Sequence, residues 1–401
     1  EQDPVFLARL HADAGDGAAA LKQWRRAVER AAQANHLVAL EHHLREALAI
    51  LHQPAFEAGQ AERLALLLRL GSVAGLTHGL ASAECEAVAR EALALALANP
   101  NADAALEARF IALFSLFFTH TMRLDIAAAD AQSQELTRLA EASGDERLLL
   151  QAEHAVYSSA IFRADLARTI ATAERGYRRY RPVDSAYHCR HFAGHDPGVC
   201  SAGHAAMAHY FAGHIGEAKR YAQIHRDLIA TCQHPPSVII GHSVEMWILW
   251  VTGRVREMRS AAARMLQVCR RLHVPVWEGY FTVIEGVAAA TDPDAPDPGA
   301  PERMVAAHER VLAMGVRFRM PTYRTWMVEG LVALRRTDLG MAQVELALAE
   351  IDRQQEWLTQ PQALALRAAL HEQRGDLDRA RADWMAAHQS AVGRGMGLYA
   401  L

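Results

Sequence analysis

The stretch from Tyr187 to Ala212 holds five histidines and two cysteines, side chains that commonly bind transition metals. Cys200 and His204 are four residues apart, so both would lie on one face of a helix. Together with His191 and His195 they could supply four ligands to a metal ion. Their spacing matches no standard zinc finger, and no Cys-x-x-Cys-His motif for haem attachment occurs. We therefore expect no bound metal or other cofactor, and keep these four residues as the alternative, a metal-sensing site.

The same stretch also contains the start of a helix. Asp196 can cap a helix because its carboxylate accepts the free amide N–H groups of the first turn. Pro197 suits the first helical position, where no amide donor is needed. These two residues predict a helix up to about Phe211, in which Cys200 is a small core residue. The preceding His-rich insertion, residues 181–195, interrupts the helical pattern and indicates either a packing device or a site.

The composition is that of a globular protein without a strongly charged partner. Hydrophobic residues make up 51% and charged residues 22% of the 401 residues, and the net charge of −4 gives no indication of direct nucleic-acid contact. No run of about 18 apolar residues occurs, so we expect no membrane contact. The five cysteines, an odd number, indicate a reduced, cytoplasmic protein. The chain begins at Glu1 instead of Met, so we expect it to be a piece of a longer protein.

Sequence motifs for catalysis are absent. The chain contains no phosphate-binding Gly-x-x-x-x-Gly-Lys-Ser/Thr loop, no Gly-x-Ser-x-Gly nucleophile elbow and no His-Glu-x-x-His zinc motif. Neighbouring acids such as Glu84 and Glu86 lie where a solvated helix is predicted to begin, and acidic residues there favour the helix dipole. We therefore expect this chain not to be an enzyme, although a parent protein can carry catalytic domains elsewhere.

Helical segments rich in Ala, Leu and Arg follow one another along the chain, separated by short junctions. The junctions recur with a period of about 40 residues, as in tetratricopeptide-like repeats that hold two helices each. Examples are Gly15-Asp16, Leu124-Asp125, Ala164-Asp165, Gly253-Arg254 and Gly375-Asp376. The pattern predicts an all-α, right-handed helical solenoid (an α-α superhelix) of about nine helix pairs. We divide this one continuous solenoid into N-terminal repeats (residues 1–182) and C-terminal repeats (residues 183–401).

Aromatic residues recur on the predicted first helices of consecutive repeats, at about 198–211, 236–251, 276–290 and 321–335. First helices of such solenoids line the concave surface, where these proteins bind peptides or small ligands. Charged residues accompany the aromatic ones and could orient a ligand. The candidate ligand-binding residues are His191, His195, Glu245, Trp247, Trp250, Trp277, Glu278, Tyr280, Arg319, Tyr323, Arg324 and Trp326. The alternative is that the aromatic side chains pack in the core at helical spacing.

Several segments resemble a family of large bacterial signalling ATPases. Residues 192–200, Phe-Ala-Gly-His-Asp-Pro-Gly-Val-Cys, are similar to the family's Tyr-Gly-Gly-His-Asp-Pro-Gly-Val-Cys. Less specific similarities occur at residues 14–24, 234–237, 274–277 and 319–323. Family members join an output domain, either a nucleotide cyclase or a DNA-binding domain, to a STAND-type AAA ATPase and a C-terminal array of tetratricopeptide-like repeats.

The resemblance implies that this chain is the regulatory or sensory repeat domain of a transcriptional regulator or a cyclase, with the regulator favoured. An effector or partner on the concave face would release the nucleotide-bound, oligomerising state of the parent protein. The expected partners are a small-molecule effector or a protein, together with other domains of the parent, and a homo-oligomer is compatible with the pattern. A pure protein–protein scaffold is the alternative function. His191 and His204 have no counterpart in the family's pattern, which argues against a metal site shared by the family.

Overall fold

The computed structural model describes residues 3–53, 59–99, 101–192 and 194–399, so Ala193 of the predicted insertion lies outside the described residues. All regular structure in the described ranges is helical. The α-helices are α1 (Pro4–Asp13), α2 (Gly17–Gln33), α3 (Leu37–Leu51), α4 (Gln60–Ala74), α5 (Ala83–Ala98), α6 (Ala102–Arg123), α7 (Ile126–Ser143), α8 (Glu146–Ala160), α9 (Leu166–Arg179), α10 (Ser185–His191), α11 (Pro197–Ala212), α12 (Ile215–Thr231), α13 (Pro235–Val251), α14 (Val255–Leu272), α15 (Pro275–Ala290), α16 (Ala300–Ala313), α17 (Met320–Ala333), α18 (Thr337–Gln354), α19 (Gln360–Gln373) and α20 (Leu377–Gly393). A π-helical turn, Gly75–Gly79, extends α4.

Each predicted junction combines a residue of positive φ with a helix N-cap. The left-handed residue turns the chain, and where an Asp follows it, the Asp carboxylate accepts an amide N–H of the next helix. At Asp125 and Asp165 these hydrogen bonds measure 3.2 and 3.1 Å. The left-handed residues at the junctions are Gly15, Leu124, Ala164, Gly213, Gly253, Arg335 and Gly375. Local chemistry therefore accounts for where the repeats turn.

The helices form two layers. From the second pair onward, the first helix of each pair packs against the first helix of the next pair, as α15 does against α17, and the second helices are more exposed. Within the described residues there are nine pairs, from α2–α3 to α19–α20, with α1 and the short α10 in addition. The chain is thus a tetratricopeptide-like helical solenoid, as the period predicts. No helix in the described ranges has the length and apolarity needed to cross a membrane.

The solenoid winds tightly enough for successive turns to touch. Backbone N–H groups of inter-pair loops and of the C-terminal tail donate to carbonyls at or just after the ends of inner helices several pairs earlier in the chain. These hydrogen bonds join Arg317 and Phe318 to Met122 (2.8 and 3.2 Å), Leu358 to Phe162 (3.1 Å), and Leu398 to Phe211 (3.2 Å). The concave face is consequently covered by the next turn and is not an open groove.

The sequence pattern predicts neither α1 nor α10. The insertion that contains α10 is held by Phe192, which is fully buried and packs edge-on against Phe110 and Phe114 at centroid distances of 5.9 and 5.2 Å. Aromatic packing of this kind adds to the hydrophobic contribution of the buried ring. The insertion is therefore a packing device that anchors the chain between α9 and α11.

Candidate ligand-binding cavity

A cavity of about 60 Å³ lies between the turns of the solenoid. One buried water takes about 10–15 Å³ of such space, so the cavity accommodates a few water-sized groups. Most of its wall is apolar and comes from the π-helical turn after α4 and from α6, α13 and α15. Its polar and titratable side chains come from the insertion, the inner helices and the loop before α17. They are His154, Ser158, His195, Cys200, His204, Tyr280 and Arg319.

The N-cap of α11 positions His195 at this cavity. Asp196 is buried and its carboxylate accepts from the Gly198 N–H at 2.8 Å, which confirms the predicted cap. The same carboxylate also accepts from the hydroxyls of Tyr180 (2.9 Å) and Ser185. A Cβ at Gly198 would lie 2.5 Å from the Tyr180 ring, so a glycine is required there. This packing explains why Asp196 and Gly198 are needed next to His195.

Arg319 brings a positive charge to the cavity. It adopts a left-handed conformation with φ of 68°, and its backbone N–H donates to both carboxyl oxygens of Glu356 at 3.1 and 3.0 Å. Its guanidinium lies over the Phe162 ring at 4.7 Å, and its buried Nε has no hydrogen-bond partner among the described residues. Strained backbone of this kind persists only where the surroundings impose it.

The carboxyl of Glu356 does not neutralise this guanidinium. Burial raises the pKa of Glu356 to about 8, although the Arg319 N–H and charge oppose the rise. A carboxyl with that pKa is mostly protonated at neutral pH. Within the described residues, Arg319 also forms no side-chain ion pair. The cavity wall therefore includes a guanidinium that has no ion pair among the described residues.

Tyr280 adds a hydroxyl to the same cavity. The side chain is buried, and its hydroxyl has no hydrogen-bond partner among the residues described. Its ring stacks on Tyr323 at 4.5 Å and meets the edge of Trp277 at 5.5 Å. Burial raises the pKa of Tyr280, so the hydroxyl stays protonated and can donate. Buried polar groups normally have a partner, and this one faces a space that a ligand could fill.

Two histidines of the cavity wall, His154 and His204, are neutral. Burial lowers the pKa of His154 well below its usual value and lowers that of His204 to about 3. The Nε2 atoms of His154 and His195 lie 3.3 Å apart. Gln151 donates to His188 Nδ1 at 3.0 Å, so its amide oxygen accepts from His154 Nδ1 at 2.9 Å. The lone pair of His154 Nε2 therefore points toward His195.

Of the twelve residues predicted to bind a ligand, four line this cavity and eight do not. The four are His195, Trp277, Tyr280 and Arg319. Three further aromatic residues, Trp247, Tyr323 and Trp326, are buried in the core, as the packing alternative holds. They are covered because the next turn of the solenoid packs on the inner helices.

The remaining five predicted residues are engaged in other contacts. Arg324 is buried and donates to Glu350 at 2.9 and 3.1 Å. This ion pair joins α17 to α18. The others also have protein partners outside the cavity. They are Trp250 with Glu329 (2.8 Å), Glu245 with His242 (2.7 Å), Glu278 with Arg270 (2.9 Å) and His191 with the Tyr187 carbonyl (3.0 Å). We leave these five out of the proposed site.

The four-residue metal alternative is only partly assembled. His195 and Cys200 come together, but their third neighbour is His154 of α8, and His191 is not part of the group. His204 lines the cavity with its Nδ1 held by the Cys200 carbonyl at 2.8 Å. Sequence reasoning missed His154 because it lies 41 residues before His195. That separation is close to one repeat period, the only feature that could have pointed to it.

Comparison with known proteins adds structural neighbours. No family model and no curated protein matches the chain. One similar solved structure is a STAND protein with a tetratricopeptide repeat sensor from Pyrococcus horikoshii, at 13% identity and a TM-score of 0.37. The alignment covers 88% of this chain and 65% of that one. Another is the tetratricopeptide repeat domain of P58(IPK), at 14% identity and a TM-score of 0.24, covering 98% of both chains. The assignment of the solenoid rests on this chain's own helix pairs.

Proposed function

We propose that this chain is the sensory repeat domain of a STAND-type signalling ATPase, with a transcriptional regulator as the favoured parent, and that it binds a small organic anion in the cavity between its turns. The observation that carries the proposal is Arg319, a cation at an apolar cavity without a carboxylate partner among the described residues. Arg319 is half-buried and its Nε is fully buried, so a bound anion would supply the hydrogen-bonding partner that this guanidinium lacks among the described residues.

The surroundings of Arg319 define the chemistry of the ligand. A carboxylate can form two parallel hydrogen bonds with a guanidinium, and the unpartnered Tyr280 hydroxyl can donate a further one. The apolar wall would receive a short hydrocarbon body. A volume of about 60 Å³ restricts the ligand to a few heavy atoms unless the turns separate.

The position of the cavity also supports a mechanism. Its wall combines Leu76 and His154 from one turn with Tyr280 and Arg319 from later pairs of the solenoid. A ligand touching both turns binds the wound state more tightly than a state in which the turns have separated. Such differential affinity shifts the population toward the wound state. The ends of the solenoid would then move relative to an attached ATPase domain, which links binding to signalling.

The test uses the full, untagged chain with formate, acetate and propionate as probes, which match the small cavity. We expect at least one of them to raise the unfolding free energy with concentration, by about 2.7 kcal/mol at a hundred times its Kd. Arg319→Met should lose this stabilisation. The matched control is Arg317→Met, because Arg317 is two residues away and its guanidinium donates to the Leu312 and Val316 carbonyls. Equal stabilisation of both variants would contradict the proposed site.

The scaffold function has one observation of its own. The last helix, α20, exposes a group of large apolar side chains, which are Leu377, Trp384, Met385 and Val392. Exposed apolar residues in such numbers favour contact with another protein or domain. Native mass spectrometry separates the two functions, since a co-purifying small anion supports sensing. An empty cavity in a chain that responds to none of the three probes would favour the scaffold.

A further inference from the structure

Three side chains on the cavity wall have the types and spacing of metal ligands. One ring nitrogen of His154, one ring nitrogen of His195 and the Sγ of Cys200 all lie within 4.8 Å of one another, and all three residues are buried. The three come from α8, from the insertion and from α11. Imidazole nitrogen and thiolate sulfur are the ligands that zinc and related ions prefer.

The distance between the two imidazoles matches coordination by one ion. Two nitrogens bound to zinc at about 2.0–2.1 Å with a tetrahedral angle are about 3.3–3.4 Å apart. The Nε2 atoms of His154 and His195 are 3.3 Å apart. A direct hydrogen bond between the two rings would give a similar distance, so the neighbouring groups must decide between the two arrangements.

The neighbours of His154 favour a metal. Ligating histidines usually donate their other ring N–H to a fixed acceptor, which orients the ring. His154 donates from Nδ1 to Gln151, and Gln151 is itself held by His188. The Sγ of Cys200 makes no hydrogen bond within the described residues, so it remains available as a third ligand. A bond between two imidazoles would not account for the position of this thiol.

We propose that His154, His195 and Cys200 bind one zinc-type transition-metal ion, with a fourth coordination position facing the cavity. This reverses the expectation, drawn from sequence spacing, of no bound metal. One ion, one thiolate and two neutral imidazoles carry a net charge of +1. Together with Arg319, that charge leaves the fourth position suited to water or a small anion. The site does not depend on the proposed organic anion, since the three protein ligands can hold an ion alone.

Cobalt titration of the full, untagged chain, stripped with chelator, tests the proposal. We expect one Co²⁺ per chain, an intense thiolate-to-cobalt charge-transfer band in the near ultraviolet, and displacement by Zn²⁺. Cys200→Ser should abolish the band, and His154→Ala should weaken binding by roughly 100-fold or more. His191→Ala is the matched control, because His191 lies in the same His-rich stretch outside the cluster. It should bind cobalt as the wild type does.

X-ray absorption of the zinc-loaded wild type provides a test that needs no variant. We expect one sulfur at about 2.3 Å and two nitrogens at about 2.0–2.1 Å. A shell of oxygens without sulfur, or no stoichiometric binding of either ion, would overturn the proposal in favour of a hydrogen bond between the imidazoles. Arg319→Met separates the two sites, since it should remove the response to carboxylates and keep the cobalt band.

Discussion

The inner helix α11 and the outer helix α12 are consecutive in the chain but differ in their surroundings. Every residue of α11 except Ala212 is buried, whereas five of the seventeen residues of α12 are buried. Those five recur every three or four positions and form one apolar stripe, which faces the inner layer. The inner helix α11 has no solvent-facing side, because neighbouring helices cover it all round. Its polar side chains must therefore find partners inside the protein or face a ligand.

Removing a buried charge pair from an inner helix should have the largest effect. Arg324→Met leaves the Glu350 carboxylate without its bidentate partner, and losing one member of a buried pair costs about 3–5 kcal/mol. The outer-layer control is Arg336→Met, which removes a solvent-exposed contact with Glu302 at 3.3 Å. It should change stability by less than about 0.5 kcal/mol. Urea unfolding followed by circular dichroism measures both, and equal losses would contradict the distinction between layers.

Removing a helix cap should also destabilise the protein more at an inner helix than at an outer helix, although the losses should be smaller. Asp196→Ala removes the cap of α11 and also leaves the Tyr180 and Ser185 hydroxyls unpaired, so we expect a loss of about 2–3 kcal/mol. Asp165→Ala removes only the exposed cap of α9 and should cost about 1 kcal/mol. Thermal unfolding of the two variants sharpens the comparison. A loss at Asp196 no larger than at Asp165 would show that the hydroxyl contacts add nothing.

Glycine substitutions test packing in the two layers. A Cβ at Gly203 of α11 would lie 2.7 Å from Val244 and 2.8 Å from His225, so Gly203→Ala should destabilise the protein by about 1–2 kcal/mol. Gly216 of α12 has no atom within 4 Å of an added Cβ. Gly216→Ala should therefore be neutral or stabilise by up to about 1 kcal/mol. Differential scanning calorimetry of both variants provides the measurement, and destabilisation by Gly216→Ala would break the contrast.

Lowering the pH should destabilise the protein, because its buried histidines resist protonation in the folded state. Burial lowers the pKa of His204 to about 3, from 6.5 for an unperturbed histidine, so the unfolded chain binds more protons between these values. Stability is therefore lost as the pH falls below about 6.5, by about 1 kcal/mol per such histidine between pH 6.5 and 5.5. His204→Gln should reduce this slope by one proton. His388→Gln, at an exposed position of α20, should leave the slope unchanged in urea titrations across that range.

Outer helices and junctions could be predicted because their causes are local. The cap at Asp196 and the turns at Gly15, Leu124 and Ala164 depend on residues a few positions apart. The apolar stripe of α12 is visible at helical spacing. The inner helices lack such a stripe, so aromatic residues such as Trp326 could be assigned equally to the core or to a binding surface.

Two arginines show what the sequence could not predict. Arg319 and Arg324 are five residues apart, and both were candidates for binding a ligand. Arg324 meets Glu350 of the adjacent helix, whereas Arg319 lies at the cavity with its backbone held by Glu356. Their spacing in the sequence does not predict these different roles, because the role of each arginine depends on which helix packs over it.

The sequence by itself determined the all-α repeat, its period of about 40 residues, its helix caps and the importance of the His-rich segment. These follow from interactions within a helix or a turn. Only the tertiary structure decided which of the candidate residues meet, since the cavity joins pairs that are far apart in the chain. His154 reaches His195 across neighbouring inner helices, and Arg319 reaches the same space from a later turn. The winding that brings them together is set by packing summed over the whole solenoid, which no local pattern records.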